Sequence, residues 1–250
     1  ATLDRLFGET SPRTLIAGGA LGVLASRLPF LVPGYGMDGD AWLTASAAER
    51  IAATGRYAMS RVPGHPLHEF ACAVVPQRDP LTLNLLSAVM SVIAFVAFAA
   101  AARRLGLRDY LVAALALAFV PVVYLASTTT MDYVWALAFL MLSLCCATRD
   151  HPKAAGVLLG AAAGCRLTSI LLLAPYVLFL SHTWRRREWL RSAVQFSAGA
   201  IVVTAMCYLP VWLTYRSAMP QVYETTVPPL IIFKHITVDT WGLLGSLALV

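Results

Sequence analysis

LTLNLLSAVMSVIAFVAFAAAA, residues 81–102, contains no ionisable side chain and is closed by Arg103 and Arg104. A helix rises about 1.5 Å per residue, so about 20 consecutive apolar residues carry it across the hydrocarbon of a bilayer. This run has that length. Comparable runs occupy 14–33, 110–126, 132–147 and 191–213. Residues 154–181 form a longer stretch interrupted by Gly164 and Arg166. It is too long for one crossing and reads as two short helices, 154–165 and 167–181. A last run starts near Trp241 and is still too short to span when it reaches Val250, and the first residue is Ala1 rather than Met. The chain is therefore expected to be cut, at least at its C-terminus.

The composition agrees with a membrane reading. Hydrophobic residues make up 59% and charged residues 13%, against about 45–50% and about 25% in ordinary soluble domains. A water-soluble fold has no place to hide that much apolar surface. The expected fold is all-α: a single polytopic transmembrane helical bundle over 1–250. The net charge of +6 would suggest nucleic acid in a soluble protein, but here the basic residues gather at the ends of apolar runs. That pattern is topology, and no nucleic-acid partner is expected. The cysteines, Cys72, Cys145, Cys146, Cys165 and Cys207, show no CxxC spacing and read as small hydrophobes.

Short loops rich in Lys and Arg stay cytoplasmic. Arg5 and Arg13, then Arg103, Arg104 and Arg108, then Arg149 and Lys153, then Arg185, Arg186, Arg187 and Arg191 fall on one side only if 154–181 crosses twice. The opposite side then carries 34–80, the turn at 128–131 and 215–240. A signal peptide at 13–33 is disfavoured, because Arg27 interrupts the apolar region and no small-residue cleavage site follows. A retained first span in a bacterial inner membrane, with 34–80 as a long extracytoplasmic loop, is the expectation. Within that loop Leu43, Ala47 and Ile51 recur at four-residue spacing beside Trp42, which predicts an interfacial helix over 41–54. Pro63-Gly64-His65-Pro66 then breaks the chain before a second short apolar segment at 67–75.

Ionisable groups at membrane depth, or where a span emerges, are costly and point to function. Asp38 and Asp40 follow the first run. In an extended segment, residues two apart point the same way, so the pair suits one acceptor group or one divalent ion. Asp40 also fits as the N-cap of the helix starting at Ala41, whereas Asp38 has no such local role. Asp132 follows Ser127-Thr128-Thr129-Thr130 and serves either the site or a helix cap. Arg166 is a permanent cation between half-helices, suited to an anion such as phosphate or to an internal ion pair with Asp38 or Asp132. Arg27 reads as a snorkelling residue near the outer interface. His65 and His68 share one face three residues apart, but Pro66 and the lack of a third ligand argue against a metal. They stand as substrate-binding candidates.

Met37-Asp38-Gly39-Asp40, Pro63-Gly64-His65-Pro66-Leu67 and Asn84-Leu85-Leu86-Ser87-Ala88-Val89 resemble, in that order, segments of the DUF2723 group of GT-C membrane glycosyltransferases, which are protein O-mannosyltransferase-like. Met131-Asp132-Tyr133-Val134-Trp135-Ala136-Leu137 and Leu167-Thr168, with 171–175, continue the resemblance, which covers about 25–180. Two departures stand out: Gly39-Asp40-Ala41 follows Asp38 where the group has Ser-Gly-Glu, and Arg166 stands where it often has histidine. The resemblance implies a GT-C-like bundle that transfers a sugar, with inversion, from a polyprenyl-phosphate-linked donor to a protein or glycan acceptor on the extracytoplasmic face. It implies Asp38 as general base, Asp40 as its assistant or the acceptor's guide, and Arg166 as holder of the donor phosphate. No cofactor is required, with a divalent cation left open. The rival expectation is a transporter or flippase of a lipid-linked or anionic solute. Against it, every candidate residue lies on one side, while transport needs a path to both.

Overall fold

The computed structural model describes residues 11–180 and 188–216. Every regular element within them is helical. Helix α1 (Pro12–Arg27) runs into a 3-10 turn (Leu28–Phe30) and is followed by α2 (Gly39–Thr54), α3 (Pro66–Ala73) and α4 (Pro80–Arg104). Then come α5 (Tyr110–Phe119), α6 (Pro121–Ala126), α7 (Tyr133–Ala147) and α8 (Pro152–Cys165). A 3-10 segment (Leu167–Leu172), α9 (Leu173–Leu180) and α10 (Trp189–Tyr215) complete the order. The run at 241–250, Arg5, Arg185 to Arg187 and most of the 215–240 segment lie outside the described residues.

Helix starts are written locally. Pro12, Pro66, Pro80, Pro121 and Pro152 each stand in a first turn, where the missing N–H costs nothing and φ is already helical. Ser11 and Asp79 cap α1 and α4 by accepting the backbone N–H groups of Thr14 and Thr82 at 3.2 and 3.1 Å. Among the described residues, α4 and α10 are the helices long and apolar enough to cross a membrane. The shorter α7 and α8, with 15 and 14 residues, fall below the length that about 30 Å of hydrocarbon asks of a lone helix.

The bundle has two distinguishable ends. At one end Arg13 on α1, Arg103 and Arg104 on α4 and Arg149 after α7 line a cavity of about 510 Å³. At the other end the loop after α1, the start of α4, the start of α7 and the end of α8 converge. Small residues hold the middle together. Gly156, Gly160 and Gly164 form a four-residue stripe on α8 against α10, where a Cβ would come within 2.1 Å of the Phe196 carbonyl oxygen, 2.7 Å of the Ala200 carbonyl oxygen and 2.7 Å of Cys207 Sγ. Lipid tails are as apolar as leucine, so close packing of this kind is what draws helices together in a bilayer. On the α7 side of α8, Ser143 Oγ donates to the Ala155 carbonyl at 2.8 Å.

Three expectations need correction. The run at 110–126 is two helices, because Val120 leaves helical geometry (φ −56°, ψ 129°) ahead of Pro121, as residues before proline do. Arg27 does not snorkel. It is fully buried, with Nε donating to Ser127 Oγ at 3.2 Å and Nη1 to Ser26 Oγ at 2.7 Å. Its Nη2 donates to the carbonyl of Ala118, near the break that leaves helix carbonyls without intrahelical donors. The guanidinium lies 4.8 and 4.5 Å from the ring centres of Phe119 and Tyr124, so Arg27 ties α1 to α5 and α6.

The third concerns α2. Its buried residues are Ala41, Thr44, Ala45, Ala47, Ala48 and Ile51, so Ala47 and Ile51 of the expected trio are both buried. Ala45, Ala48 and Ile51 pack with Tyr57, Cys72, Leu83 and Val211. Trp42 and Leu43 remain exposed, so Leu43 lies at the exposed margin of the face that buries Ala47 and Ile51.

Candidate active site

Asn84, in the first turns of α4, anchors the site from below. Its Nδ2 donates to the carbonyls of Leu31 and Gly34 at 2.9 and 2.8 Å, and its Oδ1 accepts Thr130 Oγ1 at 2.8 Å. Thr130 N donates to the Tyr35 carbonyl at 2.8 Å. The turn before α7 is thereby fixed against the loop after α1, which sets the place of Asp132. Asp132 occupies the N-cap position of α7 but makes no capping hydrogen bond. Instead its buried carboxylate accepts Arg61 Nη2 at one oxygen. Its other oxygen lies 3.1 Å from Arg166 Nη1 and 3.4 Å from His65 Nδ1.

Arg61 is the bridge. Its Nε lies 3.2 Å from Asp40 Oδ2, so one guanidinium joins Asp40 to Asp132. The segment that carries it is held by Glu69 on α3, which is fully buried. Glu69 accepts the Tyr57 hydroxyl, Ser60 Oγ, Ser60 N at 2.7 Å and His65 N at 3.2 Å. Glycine is required inside this segment: Gly64 has φ +92°, and a Cβ there would stand 2.6 Å from the Tyr57 hydroxyl. From α10, the Tyr208 hydroxyl donates to the Gly64 carbonyl at 2.9 Å.

Arg166 sits in extended conformation (φ −151°, ψ 106°) between α8 and the 3-10 segment. The guanidinium carbon is 4.1 Å from the centre of the Tyr133 ring, and its side chain is 36% exposed. Asp40, Arg61, His65, Tyr133, Arg166 and Thr168 line a cavity of about 380 Å³. Tyr133 and Arg166 also line a neighbouring groove of about 270 Å³, whose remaining walls include Val122, Val123, Leu137 and Leu140. A polar chamber and an apolar groove thus share two walls.

The charge states follow from the surroundings. Burial alone would raise the Asp132 carboxyl, but His65, Arg61, His68 and Arg166 outweigh it and hold the group below its ordinary value. Burial pushes the His65 imidazole below its ordinary value; Asp132 pulls the other way and Arg61 adds to the lowering. At neutral pH the cluster therefore holds an ionised Asp132 beside a neutral His65.

Of the residues singled out from sequence, Asp40, His65, Asp132 and Arg166 meet in this cluster. Asp38 does not. It is exposed and caps α2, with Oδ1 accepting Asp40 N at 3.0 Å. Helix α2 begins at Gly39, so the extended-chain spacing that would align Asp38 with Asp40 does not apply. The capping role expected of Asp40 belongs to Asp38, and the one offered for Asp132 is not taken. His68 lies outside the cavity, fully buried edge-on to Trp135 with ring centres 5.1 Å apart and Nε2 3.6 Å from Cys72 Sγ. Arg61, Glu69 and the wall role of Tyr133 escaped the sequence reading; the available signal was a cation two residues ahead of the Pro63-Gly64-His65-Pro66 turn.

Residues 71–213, more than half of the chain, match the profile of the dolichyl-phosphate-mannose-protein mannosyltransferase family. The chain belongs to this family. It is a membrane glycosyltransferase of GT-C type, as the segment resemblance implies. The part matched to the mannosyltransferases includes Asp132 and Arg166 and begins after Asp40, Arg61 and His65. No curated protein and no solved structure matches the chain.

Proposed function

We propose that the chamber and groove hold a polyprenyl-phosphate-linked sugar and transfer that sugar, with inversion, to a hydroxyl of a protein or glycan acceptor. The observation that carries this reading is Arg166, a partly exposed cation set where the apolar groove meets the polar cavity. A lipid phosphate has that same division: an apolar chain, an anion, then a polar head. The chain would lie along Val122, Val123, Leu137 and Leu140, the phosphate at Arg166, and the sugar toward Asp40 and His65. Asp40, 35% exposed in the cavity wall, would take the acceptor proton as the hydroxyl oxygen attacks the anomeric carbon. The bond from that carbon to the phosphate oxygen breaks, and Arg166 stabilises the departing phosphate. Arg166 supplies the positive charge at the phosphate, so the scheme needs no cofactor.

The sidedness follows from charge. Arg13, Arg103, Arg104 and Arg149 collect at the end opposite the site, and arginine-rich ends stay cytoplasmic. The site then faces the extracytoplasmic side of a bacterial inner membrane. The exposed Trp42 and Leu43 edge of α2 would rest in the interface, walling the cavity from water. Incubating the purified full-length protein with polyprenyl-phosphate mannose and an acceptor should release polyprenyl phosphate and label the acceptor. Movement of intact donor across vesicles without release would replace this reading with a flippase.

A further inference from the structure

The geometry points to Arg61 Nη1 and His65 Nε2 as a paired donor and acceptor that grip one substrate hydroxyl in the polar cavity. This subsite rests on the glycosyl-transfer reading and adds to it the groups that recognise the sugar or its acceptor. Both residues line the cavity, and each has a buried nitrogen with no hydrogen-bond partner: Nη1 of Arg61 and Nε2 of His65. Buried polar atoms are rarely left without partners, and of those among the described residues these two belong to cavity-lining side chains. Both residues are otherwise fully committed. Arg61 spends Nε on Asp40 and Nη2 on Asp132, while His65 Nδ1 lies 2.8 Å from the Cys165 carbonyl oxygen.

That carbonyl decides the chemistry of the histidine. A carbonyl oxygen only accepts, as does the ionised Asp132 oxygen 3.4 Å away, so Nδ1 carries the hydrogen and the neutral ring presents a lone pair at Nε2. Arg61 Nη1 only donates. An anion would satisfy Arg61 and be repelled by the Nε2 lone pair, whereas a cation would do the reverse. A hydroxyl serves both, giving its hydrogen to Nε2 and accepting from Nη1 with one oxygen. The two sources of such a group in this reaction are the ring of the transferred sugar and the acceptor.

The closing experiment compares parent, His65→Phe and Arg61→Lys proteins in detergent. His65→Phe removes the lone pair, and Arg61→Lys keeps the charge between Asp40 and Asp132 but removes the fork. Binding is measured for a short-chain polyprenyl phosphate with and without its mannose, and the acceptor KM is measured with and without single hydroxyls on each substrate. Bare polyprenyl phosphate affinity, unchanged across the three proteins, shows that the folded site survives. If the sugar supplies the hydroxyl, the parent prefers the mannose-bearing lipid about tenfold or more and both variants lose that preference. If the acceptor supplies it, donor binding is unchanged while the acceptor KM rises about tenfold in both variants, and one deoxy acceptor shows the same loss on the parent and none further on the variants. Variants that keep both the sugar preference and the acceptor KM overturn the subsite while transfer by the parent stands. A parallel loss of bare lipid phosphate affinity also overturns it. A parent that releases no lipid phosphate overturns the subsite and the transfer reading together.

Discussion

Arg166 Nη1 lies 3.1 Å from Asp132 Oδ2, yet Arg61, not Arg166, is the closer partner of that carboxylate. The buried negative charge is already met by Arg61 at its other oxygen. Arg166 is left partly exposed, with its guanidinium carbon 4.1 Å from the centre of the Tyr133 ring. A cation with that freedom can exchange part of its ion pair for a substrate anion without stranding Asp132.

The stability consequences are unequal. Asp132→Asn leaves Arg61 and Arg166 facing each other without the central charge, and breaking a buried pair from one side costs about 3–5 kcal/mol. Arg166→Ala leaves Asp132 paired to Arg61, and loss of a partly exposed ion pair costs about 1 kcal/mol or less. Thermal melts in detergent should rank Asp132→Asn well below Arg166→Ala. Equal melting temperatures would mean that Arg61 does not carry the pairing.

The two carboxylates after α1 should separate in an activity assay. Asp40→Asn keeps shape but cannot take the acceptor proton, and loss of a general base lowers turnover by about 10²–10⁴. Asp38→Asn should keep nearly full activity and stability, because Asn caps a helix about as well as Asp. Severe loss in Asp38→Asn with a mild effect in Asp40→Asn would return the base role to Asp38.

The roles of Asp38 and Asp40 turn on where α2 begins, and a shift of two residues exchanges cap and cavity residue. The break beside Arg166 is visible in the sequence because Gly164 and an arginine interrupt an apolar run. The break at Pro121 is equally visible, but hydropathy alone does not register a proline and runs 110–126 together as one span. Gly156, Gly160 and Gly164 also stand in plain sight at four-residue spacing, although only the packed structure shows that α10 is their partner. Arg27 is the opposite case: its partners Ala118 and Ser127 lie 91 and 100 residues away, and no local pattern announces them. Arg61 is similar, because its meaning comes from bringing the loop after α2 against the start of α7.

The pH dependence of stability should come in part from His68. Burial lowers its pKa to about 4, with Asp132 opposing the shift and His65 and Arg61 adding to it. The unfolded chain binds this proton near pH 6.5, so between about 6.5 and about 4 it holds more protons than the folded one. Stability therefore rises with pH in that window and levels off above it. Melting temperatures of the parent should fall as pH drops from 6.5 toward 4. In His68→Leu the fall should be shallower, with a remainder from His65, whose value burial also lowers. An identical slope in parent and variant would show that His68 titrates normally.

The groove beside Arg166 should control which lipid chains are accepted. Val123 lies in its wall with Leu137 and Leu140, and Val123→Trp would fill space that a polyprenyl chain needs. A chain arriving from the bilayer leaves surroundings as apolar as the groove, so it gains little hydrophobic free energy there. What the groove contributes is alignment of the phosphate with Arg166, and the effect of blocking it is correspondingly modest. Val123→Trp should raise KM about three- to tenfold for a long-chain donor, leave kcat near that of the parent, and leave a donor too short to reach Val123 unaffected. Val123→Ala, which widens the groove, should behave like the parent with both donors. Equal losses with long and short donors would mean that the tryptophan disturbs Tyr133 and Arg166 directly, and no change with either would place the lipid elsewhere.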